Sequence, residues 1–436
     1  MSIVTHYNNE FSKREASFKE VPWLYEVRLA ALHDWQERGF PKPHDEDWQN
    51  LRLNDFENIP FSCDQHNSTQ VDAQVLESLS LGNPEEAYSL VVINGRLISS
   101  LQALHLNEKI EILPLAEAVL SRETLVKKYL TLTSENNDPF FDLNTALATD
   151  GLFIHVKSGF WLDKPLEIIF YTAGENQNRG QRHVVYVEEN AGLKLVETYG
   201  GSDECYWMNT ATEIVLEKNA HLELVQIQKE SAKAFHTGSV LVTQKESSVF
   251  THFLAEFGAV LSRQNIRVEL TEPQAVCNIK GFYCLDAKRQ ADHHVRVDHL
   301  SPQCKSSTLF KGVMDDASRG IFRGLVMVHP NASKTEASQT SNSLLLTADA
   351  EADPKPQLEI YHDDVKCSHG ATIGQLDEEA LFYLKSRGIS DEFARHLLTR
   401  AFLEELVESV DLPYVSAYLN RSLNFLMPDT AGLEGK

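Results

Sequence analysis

The chain has no excess of positive charge and no long apolar run. Of its 436 residues 63 are acidic and 40 basic, a formal net charge of −23. Such a surface repels phosphate backbones, and no basic cluster interrupts it, so nucleic-acid binding is not its main task. The N-terminus lacks the charged-then-apolar pattern of a secretory leader, and no hydrophobic stretch approaches membrane-spanning length. A cytoplasmic protein without membrane contact is expected. Cysteine is scarce as well: six residues, at 63, 205, 277, 284, 304 and 367, with no CxxC among them. Reduced thiols are therefore expected rather than a disulfide framework or a zinc ribbon. A GxxxxGK[ST] loop is missing, so the chain should not hydrolyse ATP by itself. GxGxxG after a strand, GxSxG and HExxH are missing too, and with them the commonest dinucleotide, serine-hydrolase and zinc-protease signatures. No flavin-binding pattern is present either.

What is there divides into three stretches. Residues 1–150 read as mostly helical with a few short strands. Lys13 to Arg38 carries Phe18, Val21, Leu24, Val27, Leu29, Ala31, Leu32 and Trp35 at near-helical spacing, and Gly39 with Pro41 stops it. Tyr88 to Ile93 reads as a strand before the hairpin-type turn Asn94-Gly95. Leu113 to Thr133 looks helical again, and Asp142 to Thr149 forms a further short helix.

From residue 151 to 374 the pattern is almost continuous strand, and it repeats. Asn190-Ala-Gly-Leu-Lys-Leu195 is echoed by Asn219-Ala-His-Leu-Glu-Leu224, then more weakly from Ser247, Gln274 and Ser306, at offsets of about 27 to 31 residues. That period belongs to solenoids, whose coils bury jointly a core that none could bury alone. A parallel β-helix is the economical fold, with a β-sandwich as the alternative. Residues 375–436 form a helical end, with two helices expected. Asp377 and Ser390 stand at capping positions, and Leu381, Leu384, Phe393, Leu397 and Phe402 are among the apolar residues that follow.

Chemistry concentrates in two places. Cys367 and His369, one residue apart in a strand, point to one face and are both metal-ligand types. They cannot complete a shell of about four ligands, so a metal there needs ligands from elsewhere. The run Asp292-His-His-Val-Arg-Val-Asp-His299 could hold a metal, but its alternating opposite charges satisfy one another, and a polar ladder is the preferred reading. Asp315-Asp316 and Asp363-Asp364 raise a β-helix enzyme acting on a carbohydrate, although neighbouring carboxylates on a strand face opposite ways and cannot flank one bond.

Several segments resemble one family. They are Phe310-Lys-Gly-Val-Met314 with Gly320-Ile-Phe-Arg-Gly324, Ala332-Ser-Lys-Thr-Glu-Ala-Ser-Gln339, and Ala350 to Tyr361 followed by Asp364-Val-Lys-Cys-Ser-His-Gly-Ala-Thr372 and Asp377 to Leu384. Together with Gly39-Phe-Pro41 and Asp47-Trp48 they look like the SufB/SufD family of iron–sulfur cluster assembly, nearer its SufD branch. The SufB branch carries a Glu-His-Glu-Ala-Thr type segment where this chain has Cys367 to Thr372. The resemblance implies a right-handed parallel β-helix flanked by helical domains, and a non-catalytic scaffold subunit. Its implied partners are a SufB-like paralogue and a SufC-like ABC ATPase, with self-pairing open to the isolated chain. It further implies that His369, assisted by Cys367, is a candidate ligand of a transient iron–sulfur cluster shared with the paralogue, with no cofactor bound permanently. The helices carrying Asp377, Leu381, Leu384, Phe393, Leu397 and Phe402 are the candidate ATPase dock. A purely structural stabiliser of the paralogue remains the rival reading.

Overall fold

In the computed structural model the repeat has a local cause. The structure describes residues 2–42, 45–53, 56–63, 71, 73–82, 85–99, 108–130 and 138–423. Asn190, Asn219, Ser247, Gln274, Gln303 and Lys334 each hold a left-handed backbone, with φ between 56° and 65°. L residues avoid that region unless a tight turn demands it, and asparagine tolerates it best. These residues are one corner of successive coils. The echoes starting at 190, 219, 247 and 274 fall on them. The one placed at Ser306 was slipped by three residues, because Val276 pairs with Lys305 and the true corner is Gln303.

The strands follow in order. The N-terminal part supplies β1 (Tyr88–Ile93), β2 (Arg96–Leu97) and β3 (Ile110–Pro114). The solenoid begins with β4 (Leu152–Val156), β5 (Leu166–Thr172), β6 (Gln177–Val187), β7 (Gly192–Gly201), β8 (Tyr206–Leu216) and β9 (His221–Gln228). It continues with β10 (Phe235–Gln244), β11 (Val249–Glu256), β12 (Leu261–Leu270), β13 (Val276–Leu285) and β14 (Gln290–His299). It ends with β15 (Lys305–Met314), β16 (Arg319–Val328), β17 (Thr335–Leu345), β18 (Glu351–Ile360) and β19 (Val365–Gly374). Even-numbered strands from β4 stack in one sheet and odd-numbered strands from β5 in the other, each pairing in parallel with the strand one coil away. The result is a parallel β-helix of eight coils. A sandwich would have paired its strands antiparallel.

Aliphatic side chains from both sheets fill the interior in columns. Leu193, Leu222, Phe250 and Cys277 lie in register on successive coils and are all buried. The two ends differ. At the start, β2 pairs antiparallel with β1 and β3 with β4, closing both sheets with strands from the N-terminal segment. At the finish, β18 and β19 have no further neighbour among the described residues.

Helices cover the outer faces. α1 (Ile3–Ser12) precedes the first expected helix, Lys13 to Arg38, which is two: α2 (Glu15–Phe18) and α3 (Pro22–Arg38). Pro22, lacking an N–H, opens α3 at its first turn and cannot sit inside a longer helix. After α4 (Ala73–Leu79) comes the hairpin, with Asn94 and Gly95 both at positive φ as its tight turn requires. The helix expected over Leu113–Thr133 is α5 (Leu115–Ser121) and α6 (Glu123–Tyr129); Thr133 lies outside the described residues. α7 (Pro139–Leu147) starts three residues earlier than expected, because Asp138 Oδ1 accepts the N–H groups of Phe140 and Phe141 at 2.9 and 3.4 Å. Phe56, Phe61, Phe140, Trp207 and Phe235 form one aromatic cluster, with Phe56 edge-on to Trp207 at 4.9 Å, and it fastens the N-terminal segment to the even-numbered sheet.

At the other end stand α8 (Glu378–Ser386), α9 (Asp391–Glu408) and a third helix, α10 (Pro413–Leu423), which the sequence reading did not anticipate. They pack Leu381, Leu403, Leu406 and Val415 onto Val225, Ile227, Phe253 and Phe282, on the outer face of the odd-numbered sheet. Lys311 Nζ anchors α9, reaching the Phe402 carbonyl at 2.9 Å and Glu405 Oε2 at 2.7 Å. No described helix is long and apolar enough to cross a membrane, and all six cysteines are free thiols.

Candidate functional site at the open end of the solenoid

The interior columns run out at β19. Cys277 is followed in register by Ser306, Ala337 and Cys367, and Ile279 by Thr308, Gln339 and His369. Since Ser306, Thr308, Ala337 and Gln339 are buried and point inward, Cys367 and His369 point the same way, at a mouth that no further coil covers among the described residues. Both therefore lie on one face, as alternation requires. Cys367 is half-buried beside Val326, Val328 and Ala337, whereas His369 is exposed. Burial raises the Cys367 thiol above its ordinary pKa, with the Ala337 backbone N–H acting in the opposite direction. Ile360, Tyr361 and Ile373 form an exposed apolar rim. No set of three or more His, Cys, Asp or Glu poised to hold a metal occurs among the described residues, so within this chain Cys367 and His369 form an incomplete ligand pair.

The two end strands offer unequal edges. In a parallel ladder successive residues turn their N–H groups alternately to the two sides. Glu351 and Tyr361 donate to β16 through Ser318 O and Val328 O, so Ala352, Pro354, Pro356, Leu358 and Ile360 face the open side. Two of these five are prolines and have no N–H to give. On β19 the outward positions are Cys367, His369, Ala371 and Ile373, because Glu336, the register partner of Lys366, donates back to Cys304 O. Every one of these keeps its donor. The β19 edge can accept another strand and the β18 edge largely cannot.

The remaining sequence-selected residues fall elsewhere. In β14 the alternation holds. His293 turns inward, 3.0 Å from Glu256 Oε2 and stacked on Tyr283, while Asp292 and His294 face outward with Arg263. Arg296, Asp298 and His329 continue that outer ladder. Asp315-Asp316 and Asp363-Asp364 sit in turns and not on strands, which corrects the reason first given against them. Asp315 accepts the Asp316 N–H, and Asp316 Oδ2 accepts that of Ala287.

Of the candidate docking residues, Asp377 caps α8, as Ser390 outside that set caps α9. Leu381 is buried in the core, while Leu384, Phe393, Leu397 and Phe402 are half-buried. Phe382 and Tyr383, 74% and 57% exposed, are the apolar groups that α8 presents to solvent. Sequence reading missed them because apolar residues in a helix default to the core. Their position one and two residues after Leu381 was the available signal.

Comparison with known proteins agrees with this architecture. Residues 170–402 match the family described as "SUF system FeS cluster assembly, SufBD core domain", and residues 1–168 match "SufBD protein N-terminal region". The iron-sulfur cluster assembly SufBD family protein slr0076 of Synechocystis is 30% identical over 88% of this chain and 87% of its own length. The iron-sulfur cluster assembly protein SufD of Escherichia coli is 34% identical over 62% of this chain and 65% of its own length. The chloroplastic protein ABCI7 of Arabidopsis thaliana is 33% identical over 63% and 60%. With both family regions present in order on an eight-coil β-helix, the chain belongs to the SufBD family of iron–sulfur cluster assembly proteins.

Proposed function

We propose that the chain is a non-catalytic, SufD-type scaffold subunit that pairs through its open solenoid end with a SufB-like paralogue. Cys367 and His369 then supply two ligands to a nascent iron–sulfur cluster, which is the cargo of the complex, and the paralogue supplies the rest. The observation that carries this reading is the Cys367–His369 pair on inward columns that end uncovered, beside a strand edge with its donors intact. A thiolate and an imidazole suit iron, and an incomplete shell at an unpaired edge is the arrangement expected of a ligand set divided between two chains. A partner strand laid along β19 would bring its own side chains into the same mouth. A SufC-like ABC ATPase docks on α8 and α9, where Phe382 and Tyr383 supply exposed aromatic anchors of the kind that dominate interfaces. The complex acts in the cytoplasm.

The test is anaerobic co-expression with the paralogue and the ATPase, reading both complex recovery and cluster absorbance. For His369→Ala and Cys367→Ser the complex should be recovered at the wild-type ratio while cluster yield falls several-fold for His369→Ala and less for Cys367→Ser. An unchanged cluster yield in His369→Ala would establish the chain as a purely structural stabiliser. Recovery of the wild-type chain alone would reject the scaffold reading itself.

A further inference from the structure

A second site lies far from the solenoid mouth. Between the N-terminal helices, α5, α7 and the flank of β6 is a cavity of about 520 Å³, within the range of small-molecule sites. Phe18, Leu24, Leu115 and Val119 give it an apolar wall, and three guanidinium groups, Arg14, Arg28 and Arg182, give it a charged one.

The three arginines are not equivalent. Arg182 pairs with buried Glu213 and stands over the Phe141 ring at 4.3 Å. Arg14 reaches Glu10 at 3.3 Å, and Lys13, also on the wall, reaches the same carboxylate at 2.5 Å. Among the described residues Arg28 has no carboxylate partner. Its two hydrogen bonds both leave from Nη1, to the carbonyls of Thr145 and Ala146 in the last turn of α7 at 3.3 and 3.2 Å, and its face rests on Phe18 at 4.3 Å. Nε and Nη2 have no such partner. The acids on the wall do not compensate it. Asp150 Oδ1 is engaged by the N–H groups of Gly151 and Ala116 at 2.9 and 3.2 Å, and Glu20 is exposed. Burial, with Arg182 and Arg14 nearby, pushes the Arg28 guanidinium down to about 10, the response of a cation whose charge is poorly balanced.

We propose that this cavity binds an amphiphilic monoanion, with the anionic head on the free nitrogens of Arg28 and the apolar body along Phe18, Leu24, Leu115 and Val119. A guanidinium offers a monoanion paired donors. A dianion is less well matched, since only one of the arginines lacks a carboxylate partner.

The experiment is calorimetric titration of the full chain with decanoate, decanol and decyltrimethylammonium, which share one tail and differ in head charge. Decanoate should bind at one site per chain, and Arg28→Gln should weaken it by roughly tenfold or more, the loss of one charge-assisted contact. Arg28→Lys, which keeps the charge, should lose less. Ala116→Trp, an exposed position on the rim, should hinder entry with Arg28 untouched and tests the cavity if the arginine variants do not fold. Equal affinity for decanol or the cation would show an apolar void only and overturn the proposal. Absence of saturable decanoate binding, or binding indifferent to both Arg28→Gln and Ala116→Trp, would do the same.

Discussion

His183, His252 and His299 are buried, and burial is the leading cause that pushes the first two down to about 3 and the third to about 4. The hydrogen bond that His183 Nδ1 accepts from the Leu152 N–H at 3.0 Å requires a neutral ring, and His252 Nε2 donates to Gln226 Oε1 at 2.8 Å. An unfolded histidine titrates near 6.5, so between that value and 3 to 4 the unfolded chain binds protons that the folded chain refuses. Stability is therefore fully present above pH 6.5 and is lost as the pH falls; Glu197, raised by burial, opposes the trend. At pH 5 each histidine contributes a loss of up to about 2 kcal/mol. Urea midpoints at pH 7 and pH 5 should show this fall, and His252→Gln should remove part of it. Equal midpoints would mean that these side chains take up protons freely in the fold. Sequence disclosed little of this, since a histidine's pattern does not say what covers it. Cys367 and His369 were legible as a pair because period-two alternation survives in a strand whatever its surroundings. Arg28 was not legible, because its neighbours come from positions 115, 145 and 182.

At the scale of elements, strands were read more surely than helices. The first helical stretch, Lys13 to Arg38, is broken at Lys19–Val21 and serves two clusters: Phe18, Leu32 and Trp35 pack among the N-terminal aromatics, whereas Val21 and Leu24 pack against α5 and α6. α10 escaped notice because it opens on Pro413, and a proline reads as a stop although it is also a favoured first residue. β18 shows what the same residue type does at an edge. Pro354 and Pro356 withhold two donors on the open side, the usual protection against unwanted pairing. Pro354→Val/Pro356→Val restores both donors while leaving the bonds to β16 in place. The doubly substituted chain should self-associate at concentrations where the wild type stays dispersed, measured by light scattering behind size exclusion. Unchanged scattering would mean that the prolines shape the strand without guarding it.

At the scale of the whole molecule, the repeat made the fold legible, because a corner that must adopt positive φ recurs once per coil and favours a small set of residues. The attachment of the N-terminal segment was not legible, since it rests on side chains drawn together from residues 56 to 235. Phe56, 1% exposed at the centre of that cluster, is the place to test it. Phe56→Ala should cost roughly 3–5 kcal/mol and loosen the N-terminal helices from the solenoid. Limited proteolysis should then cut within residues 1–150 first, while the circular dichroism of the solenoid persists. A loss of all structure together would show instead that the two parts unfold as one.

A stack of coils is held by neighbours, and its last member has a neighbour on one side only. Amide hydrogen exchange should therefore be slow through β8 to β14 and quicken toward β18 and β19, making the coil that carries Cys367 and His369 the first to open. Binding at this end should register there as slowed exchange on the outward amides of β19, at Cys367, His369, Ala371 and Ile373, with little change on the inward-bonded residues between them. The least protected strand of the free protein is thus also its most sensitive reporter of company.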